Sequence, residues 1–177
     1  MNLPAFPDKY DAVQQAVLRG FRLDVMGTHG LPHWARVYRN GLLIAAEDPD
    51  VDMEVVALFA LLHDSCREDE YDDDMHGVRA SRFVAQLHEG DILPPELTRE
   101  QITLLRAACA DHSRGFVINI PTIQACWDAD RLDLGRIGIK PELRKLGSRY
   151  AQLPGVIERH WEEAWNTEGM ESMIEAV

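Results

Sequence analysis

The sequence predicts an all-α, single-domain helical bundle, and three observations carry that prediction. Apolar residues recur at steps of three and four through most of the 177-residue chain. Glycines, prolines and one capping box punctuate those stretches where helices should start and stop. Residues 116–120 form the one run that could be extended, and they read equally well as an apolar loop crossing. With 46% hydrophobic residues the chain can bury a single sizeable core. No repeat, low-complexity segment or linker divides it, so residues 1–177 are read as one domain.

Taken in order, Tyr10, Val13, Val17, Leu18, Phe21 and Val25 share a face and predict an amphipathic helix from about residue 8 to residue 25, capping the fold. After the loop 26–31, Pro32 suits a first helical position, and His33, Val37, Gly41 and Ile44 continue a stripe as far as Asp48. From Asp52 the run 55–62 is apolar nearly all round, which marks a helix central to its bundle. His63 falls four residues after Phe59, on one of its faces. Six acids among residues 68–74 predict an exposed loop before a helix over 75–89. On that helix His76, Ala80, Phe83 and Leu87 align, and Gly90 stops it.

Thr98 and Gln101 make a capping box for a helix through Ile102, Leu105 and Cys109 to His112, with Gly115 just past its end. Thr122 reads as the N-cap of a helix bearing Ile123, Trp127, Asp130 and Leu134, ended by Gly135. Residues 141–177 predict a short helix, a break at 153–155, and a terminal helix with Val156, Ile157, Trp161 and Trp165 packed across the bundle.

Thirty acidic residues against eighteen basic ones give a net charge of -12, and no Lys/Arg block could track a phosphate backbone. Extended nucleic acid is thereby excluded as a partner. A few arginines and a metal ion can still reverse the field inside one pocket, so a small phosphorylated substrate remains open. Cys66, Cys109 and Cys126 are odd in number and not closely paired, which argues against a disulfide framework or a cysteine-rich zinc site. Reduced thiols in the cytoplasm are expected. No basic-then-apolar leader and no bilayer-length apolar stretch occurs, so no membrane association is expected. No particular oligomer is implied.

His33, His63, His76, His112 and Asp130 each lie on the apolar stripe of a different predicted helix, and Asp64 adjoins His63. A lone inward histidine is ordinarily a core residue bonded to a carbonyl. Five such groups without a shared cation would cost on the order of a few kcal/mol for each one left unpaired. A metal site accounts for all of them.

The order His33, then His63-Asp64, then Asp130 resembles the H…HD…D signature of the HD-domain superfamily of metal-dependent phosphohydrolases. The likeness covers residues from about 28 to 138. It is closest to small bacterial HD proteins, through Gly30-Leu31-Pro32-His33-Trp34-Ala35-Arg36-Val37, Leu62-His63-Asp64-Ser65-Cys66-Arg67, His76-Gly77-Val78-Arg79-Ala80 and Cys126-Trp127-Asp128-Ala129-Asp130-Arg131-Leu132-Asp133. The resemblance implies an HD-type bundle in which His33, His63, Asp64 and Asp130 hold a divalent metal (Mn, Mg, Fe, Co, Ni or Zn). Asp128, one residue away, ranks second to Asp130. In binuclear members two intervening histidines bind a second ion that the HD aspartate bridges. His76 and His112 occupy a similar order, with hydrogen bonding to substrate or water as the other reading.

The implied activity is hydrolysis of a phosphate ester or nucleotide phosphate bond by a metal-activated water. Asp64 and Arg67 carry the catalytic expectation: Asp64 orients the water, and Arg67, three residues on, neutralises charge on the phosphoryl group. His29, Arg79 and Arg131 are substrate candidates, although arginines more commonly end in surface ion pairs. Glu68-Asp69 is similar, with one residue more in the spacing, to the acidic pair after the HD motif of stringent-response pyrophosphohydrolases; a solvated acidic loop is the preferred reading. His88 and His160, among polar neighbours, read as surface groups. Two rival functions stand beside the hydrolase: a di-iron oxygenase of the HD type, and a non-catalytic nucleotide-binding domain.

Overall fold

The computed structural model describes residues 5–164, and among these it is all-helical, with no strand. Seven α-helices follow one another: α1 (Asp11–Gly20), α2 (Leu31–Glu47), α3 (Met53–Leu62), α4 (His76–Glu89), α5 (Arg99–Asp111), α6 (Pro121–Arg131) and α7 (Val156–Glu163). Short 3₁₀ turns fill several junctions. No helix among the described residues is long and apolar enough to cross a membrane.

Helix α3 is the axis of the bundle. All eight residues from Val55 to Leu62 are buried, and the helix packs against α1, α2, α5 and α6. An all-round apolar helix can only be accommodated this way, because any exposed face would leave Val, Leu or Phe in water. Its start is fixed by Asp52, whose carboxylate accepts from the backbone N–H groups of Glu54 (3.0 Å) and Val55 (3.3 Å). The same side chain accepts from Gln101 of α5, and the Asp52 N–H donates to Thr122 of α6. One N-cap thus registers three helices. Gly41 of α2 faces Val56 of α3 so closely that a Cβ there would overlap the valine methyl. Asn40 donates to the Ala129 carbonyl, and the Trp127 indole to the Ala108 carbonyl, tying α6 to α2 and α5.

Several boundaries differ from the sequence prediction. The first helix stops at Gly20 instead of continuing to Val25, because Phe21 turns extended and packs edge-on against Trp34 at 5.1 Å. Asp24 then folds the chain back by accepting from the Met26 and Gly27 amides. Residues 116–120 form a loop, held by the Ile118 N–H donating to Gln124. Thr122 is not the N-cap of α6: Ile120 takes that place, with Pro121 as the first helical residue, and Thr122 serves Asp52 instead.

The helix expected after Pro141 is reduced to 3₁₀ turns at Leu143–Lys145 and Tyr150–Gln152. The Asp128 carboxylate, buried inside α6, captures the N–H groups of Gly147 and Ser148 at 2.8 and 2.7 Å and holds that stretch as a loop. α7 carries Val156, Ile157 and Trp161 as expected, and Trp165 lies outside the described residues.

Candidate metal centre

Each of the four inward histidines has its Nδ1 committed outside the cluster. His33 Nδ1 faces Asp133 Oδ2 at 2.7 Å, His63 Nδ1 the Phe59 carbonyl at 3.0 Å, and His112 Nδ1 the Cys109 carbonyl at 2.8 Å. His76 Nδ1 is bonded to the Asp73 carbonyl. Carbonyls and carboxylates only accept, so every Nδ1 carries a hydrogen and every neutral ring turns a bare Nε2 lone pair inward.

Those lone pairs meet head-on. His33 Nε2 stands 3.0 Å from His63 Nε2, and His76 Nε2 stands 2.9 Å from His112 Nε2. Two acceptors at that separation repel unless a proton or a cation lies between them. Asp64 sits between the pairs and divides its carboxylate: Oδ2 lies 3.5 and 3.6 Å from Nε2 of His33 and His63, and Oδ1 lies 3.3 and 3.5 Å from Nε2 of His76 and His112. Asp130 Oδ1 lies 3.5 Å from His33 Nε2 and 3.8 Å from His63 Nε2, is buried, and has no hydrogen-bond partner among the described residues.

These residues fit a metal ion. Ligand atoms that share an ion at about 2.1 Å lie roughly 3.0–3.5 Å apart, close to the separations observed here. Three overlapping triads bring their ligand atoms within 4.8 Å of one another: His33, His63 and Asp64; His63, His112 and Asp130; and Asp64, His76 and His112. The orphaned Asp130 oxygen is the kind of buried acceptor that a cation would satisfy.

The electrostatics agree. Burial pushes His63 down to about 3. Burial, then the neighbouring His112, lowers His76; at His112 burial also acts downward, but the bond to Asp64, the charges of Asp64 and Asp130 and the Cys109 carbonyl together outweigh it and raise the ring. Burial opposes the charge on Asp64, but His63, His112 and His33 outweigh it and hold the carboxyl well below its ordinary range. Asp130 is likewise lowered, by His63 and then Arg136, against burial. The site thus sets imidazole nitrogens against carboxylates held in their charged form, the donor set that a metal takes up.

The helices explain how distant residues converge. His33 opens α2, His63 and Asp64 follow the last turn of α3, His76 opens α4, His112 follows α5, and Asp130 closes α6. Gly77 lets α4 approach α5: a Cβ there would stand 2.6 Å from the Cys109 carbonyl oxygen and 3.3 Å from His112 Nδ1. Asp133 braces the first pair, accepting from His33 and, through its other oxygen, from Arg36 at 2.6 Å.

Over the cluster lies a cleft of about 230 Å³ that includes His29, Asp64, Arg67, Asp130, Arg131 and Arg136, with Lys140 and Lys145 also lining it. Arg67 donates from Nε to Asp64 Oδ1 at 3.0 Å. His29 reaches the cleft while bonded to Glu70 at 2.5 Å. Arg131 is largely committed elsewhere, donating to the Lys145 carbonyl and covering the Trp127 ring, although its buried Nη2 has no hydrogen-bond partner among the described residues.

Arg79 is not brought to this cleft; it donates to the Cys66 carbonyl, pairs with Asp73 and faces a separate cavity. Asp128 belongs to none of the ligand triads, being spent on the 147–148 loop. His160 is a correction to the surface reading: it is 4% exposed, with Nε2 3.2 Å from the Tyr150 hydroxyl. It lies four residues after buried Val156, so the helical spacing places it inward despite its polar neighbours. His88 is exposed as expected. Asp133, Arg136, Lys140 and Lys145 were not singled out from the sequence. Asp133 had a signal, since it stands three residues after Asp130 within the same short stretch.

No protein-family model, curated protein or solved structure matches the chain.

Proposed function

We propose that the chain is a metal-dependent phosphohydrolase of the HD type that cleaves a phosphate ester or nucleotide phosphate bond. In this reading His33, His63, Asp64 and Asp130 hold one divalent ion, and Asp64, His76 and His112 hold a second. The observation that carries it is the division of the Asp64 carboxylate between two histidine pairs beneath a cleft lined by cationic side chains. The order of the ligands along the chain, similar to that of the HD superfamily, supports the same conclusion.

A divalent ion held there supplies Lewis acidity toward a phosphoryl oxygen and lowers the pKa of a bound water. The chain's own residues position the rest. Asp64, fixed by Arg67, keeps its lone pairs directed into the cluster, where they orient the attacking water. Arg67 and Arg136 stand beside the ligand carboxylates, Arg136 at 3.8 Å from Asp130, where negative charge grows as the phosphoryl group transfers. Arg67, Arg131, Arg136, Lys140 and Lys145 outnumber Asp64, Asp130 and Glu142 along the cleft of an otherwise acidic protein, which suits a small phosphorylated substrate such as a nucleotide. The free thiols of Cys66, Cys109 and Cys126 support a reducing, cytoplasmic setting.

Protein loaded with Mn, Mg, Co or Ni should release phosphate from at least one member of a nucleotide and sugar-phosphate panel, and Asp64→Ala should abolish the release. Equal activity in wild type and variant would refute the reading. The His76–His112 pair also favours a second possibility, a di-iron oxygenase, because the imidazoles and carboxylates of His33, His63, Asp64, His76, His112 and Asp130 would hold iron as readily as other divalent ions, and iron would supply oxygen chemistry there. Protein that contains iron and consumes oxygen in the presence of substrate would select that alternative.

A further inference from the structure

A second cleft, of about 340 Å³, shares only Arg67 with the cleft over the cluster. It is lined by the end of α1, residues 65–68 and one face of α4, and four arginines converge on it: Arg22, Arg67, Arg79 and Arg82. In a chain with a net charge of -12 and only eighteen basic residues, that concentration is unusual.

The arginines are incompletely matched. Arg22 pairs with Glu68 Oε1 at 2.6 Å, and Arg79 lies 4.0 Å from Glu68 Oε2 while also pairing with Asp73. Arg67 commits Nε to Asp64 and Nη1 to the Asp69 carbonyl. Arg82 makes no hydrogen bond or ion pair with the described residues and is exposed. Glu68 thus places a single carboxylate between two guanidinium groups, with a third cation nearby and free. A phosphate group offers more charge and more acceptor oxygens than a carboxylate, and guanidinium forks suit it geometrically. Phe83 and Val17 add apolar wall against which carbon atoms can pack.

We propose that this cleft is a binding site for the phosphate group of a small organic phosphate, with Arg82 and Arg22 as its principal contacts and Glu68 giving way to the ligand. The site is separate from the metal centre and does not depend on the reading proposed for it.

The test is a titration of the protein with inorganic phosphate, without added metal, followed by backbone amide shifts. Saturable shifts are expected at Gly20, Cys66, Phe83 and Gln86. Arg82→Glu, at an exposed side chain without a partner, should weaken binding by about tenfold or more without lowering Tm. Asp130→Asn should leave phosphate affinity unchanged. Absence of saturable binding, an affinity that Arg82→Glu leaves within about twofold of wild type, or shifts confined to Asp130, Arg136 and Lys140 would overturn the proposal. The metal reading is judged separately, by metal binding to Asp130→Asn.

Discussion

At the scale of single residues, the centre is governed by which ring nitrogen carries the proton. Asp133 accepts from His33 Nδ1, which fixes the tautomer and turns Nε2 toward Asp64 and Asp130. Asp133→Asn should therefore weaken metal binding about 10–100-fold, measured by competition with a chromophoric chelator. An unchanged affinity would show that the ring is oriented by packing alone. His160 makes a different prediction, about pH. Burial, then Arg39, lowers it to about 4, so the native state keeps the ring neutral where the unfolded chain would protonate it. Stability from this group is fully present above about pH 6.5 and is lost as pH falls toward the folded value; the loss amounts to at most about 3 kcal/mol. Tyr150, Glu163 and Arg159 also face the ring. His160→Gln should shrink the difference between urea midpoints at about pH 7.5 and about pH 4.5, and an undiminished difference would assign the pH dependence to other groups.

Five inward ligand-type residues were legible because each repeats the phase of an apolar stripe, and Asp64 because it adjoins one of them. Asp133, Arg136 and Lys140 were not, because their roles depend on how the chain after α6 folds back over the cluster, and no periodicity records that. His160 was misread from the polarity of its immediate neighbours when its spacing from Val156 was the better guide.

At the scale of elements, α3 supplies the rigid frame and the α4–α5 crossing supplies the second histidine pair. Leu58, wholly buried in α3, should cost about 2–5 kcal/mol when changed to Ala, read from chemical denaturation. Gly77→Ala is more selective. Its Cβ would press on the Cys109 carbonyl that holds His112 Nδ1, forcing α4 and α5 apart. The expected result is loss of one bound ion, with the His33–His63 pair still binding; retention of the wild-type stoichiometry would contradict the role given to the close α4–α5 approach in setting the second histidine pair. Helix cores were readable from sequence, and so was the cap that uses local chemistry, the Thr98–Gln101 box. The ends decided by distant partners were not. Phe21 leaves the helical path to meet Trp34, and Asp128 keeps residues 147–148 from continuing a helix.

At the scale of the whole molecule, one buried core carries a polar centre that the protein alone leaves frustrated, with opposed lone pairs and an unpartnered Asp130 oxygen. The proposed ion, binding only the folded chain, would relieve that frustration and stabilise it. At about 100 times its dissociation constant, the ion adds about 2.7 kcal/mol. In a domain of this size that corresponds to about 5–10 °C in Tm, so chelation should lower Tm by that amount and re-addition should restore it. The proposed phosphorylated substrate makes one further demand on the same scale: its capture should weaken as salt rises, because attraction by the basic side chains of the cleft acts through solvent.

The most direct test is anomalous scattering from crystals of the protein grown with manganese. Two peaks are predicted, on either side of the Asp64 carboxylate, one among His33, His63 and Asp130 and the other between His76 and His112. A crystal with manganese bound elsewhere and no peak within reach of Asp64 would contradict the account.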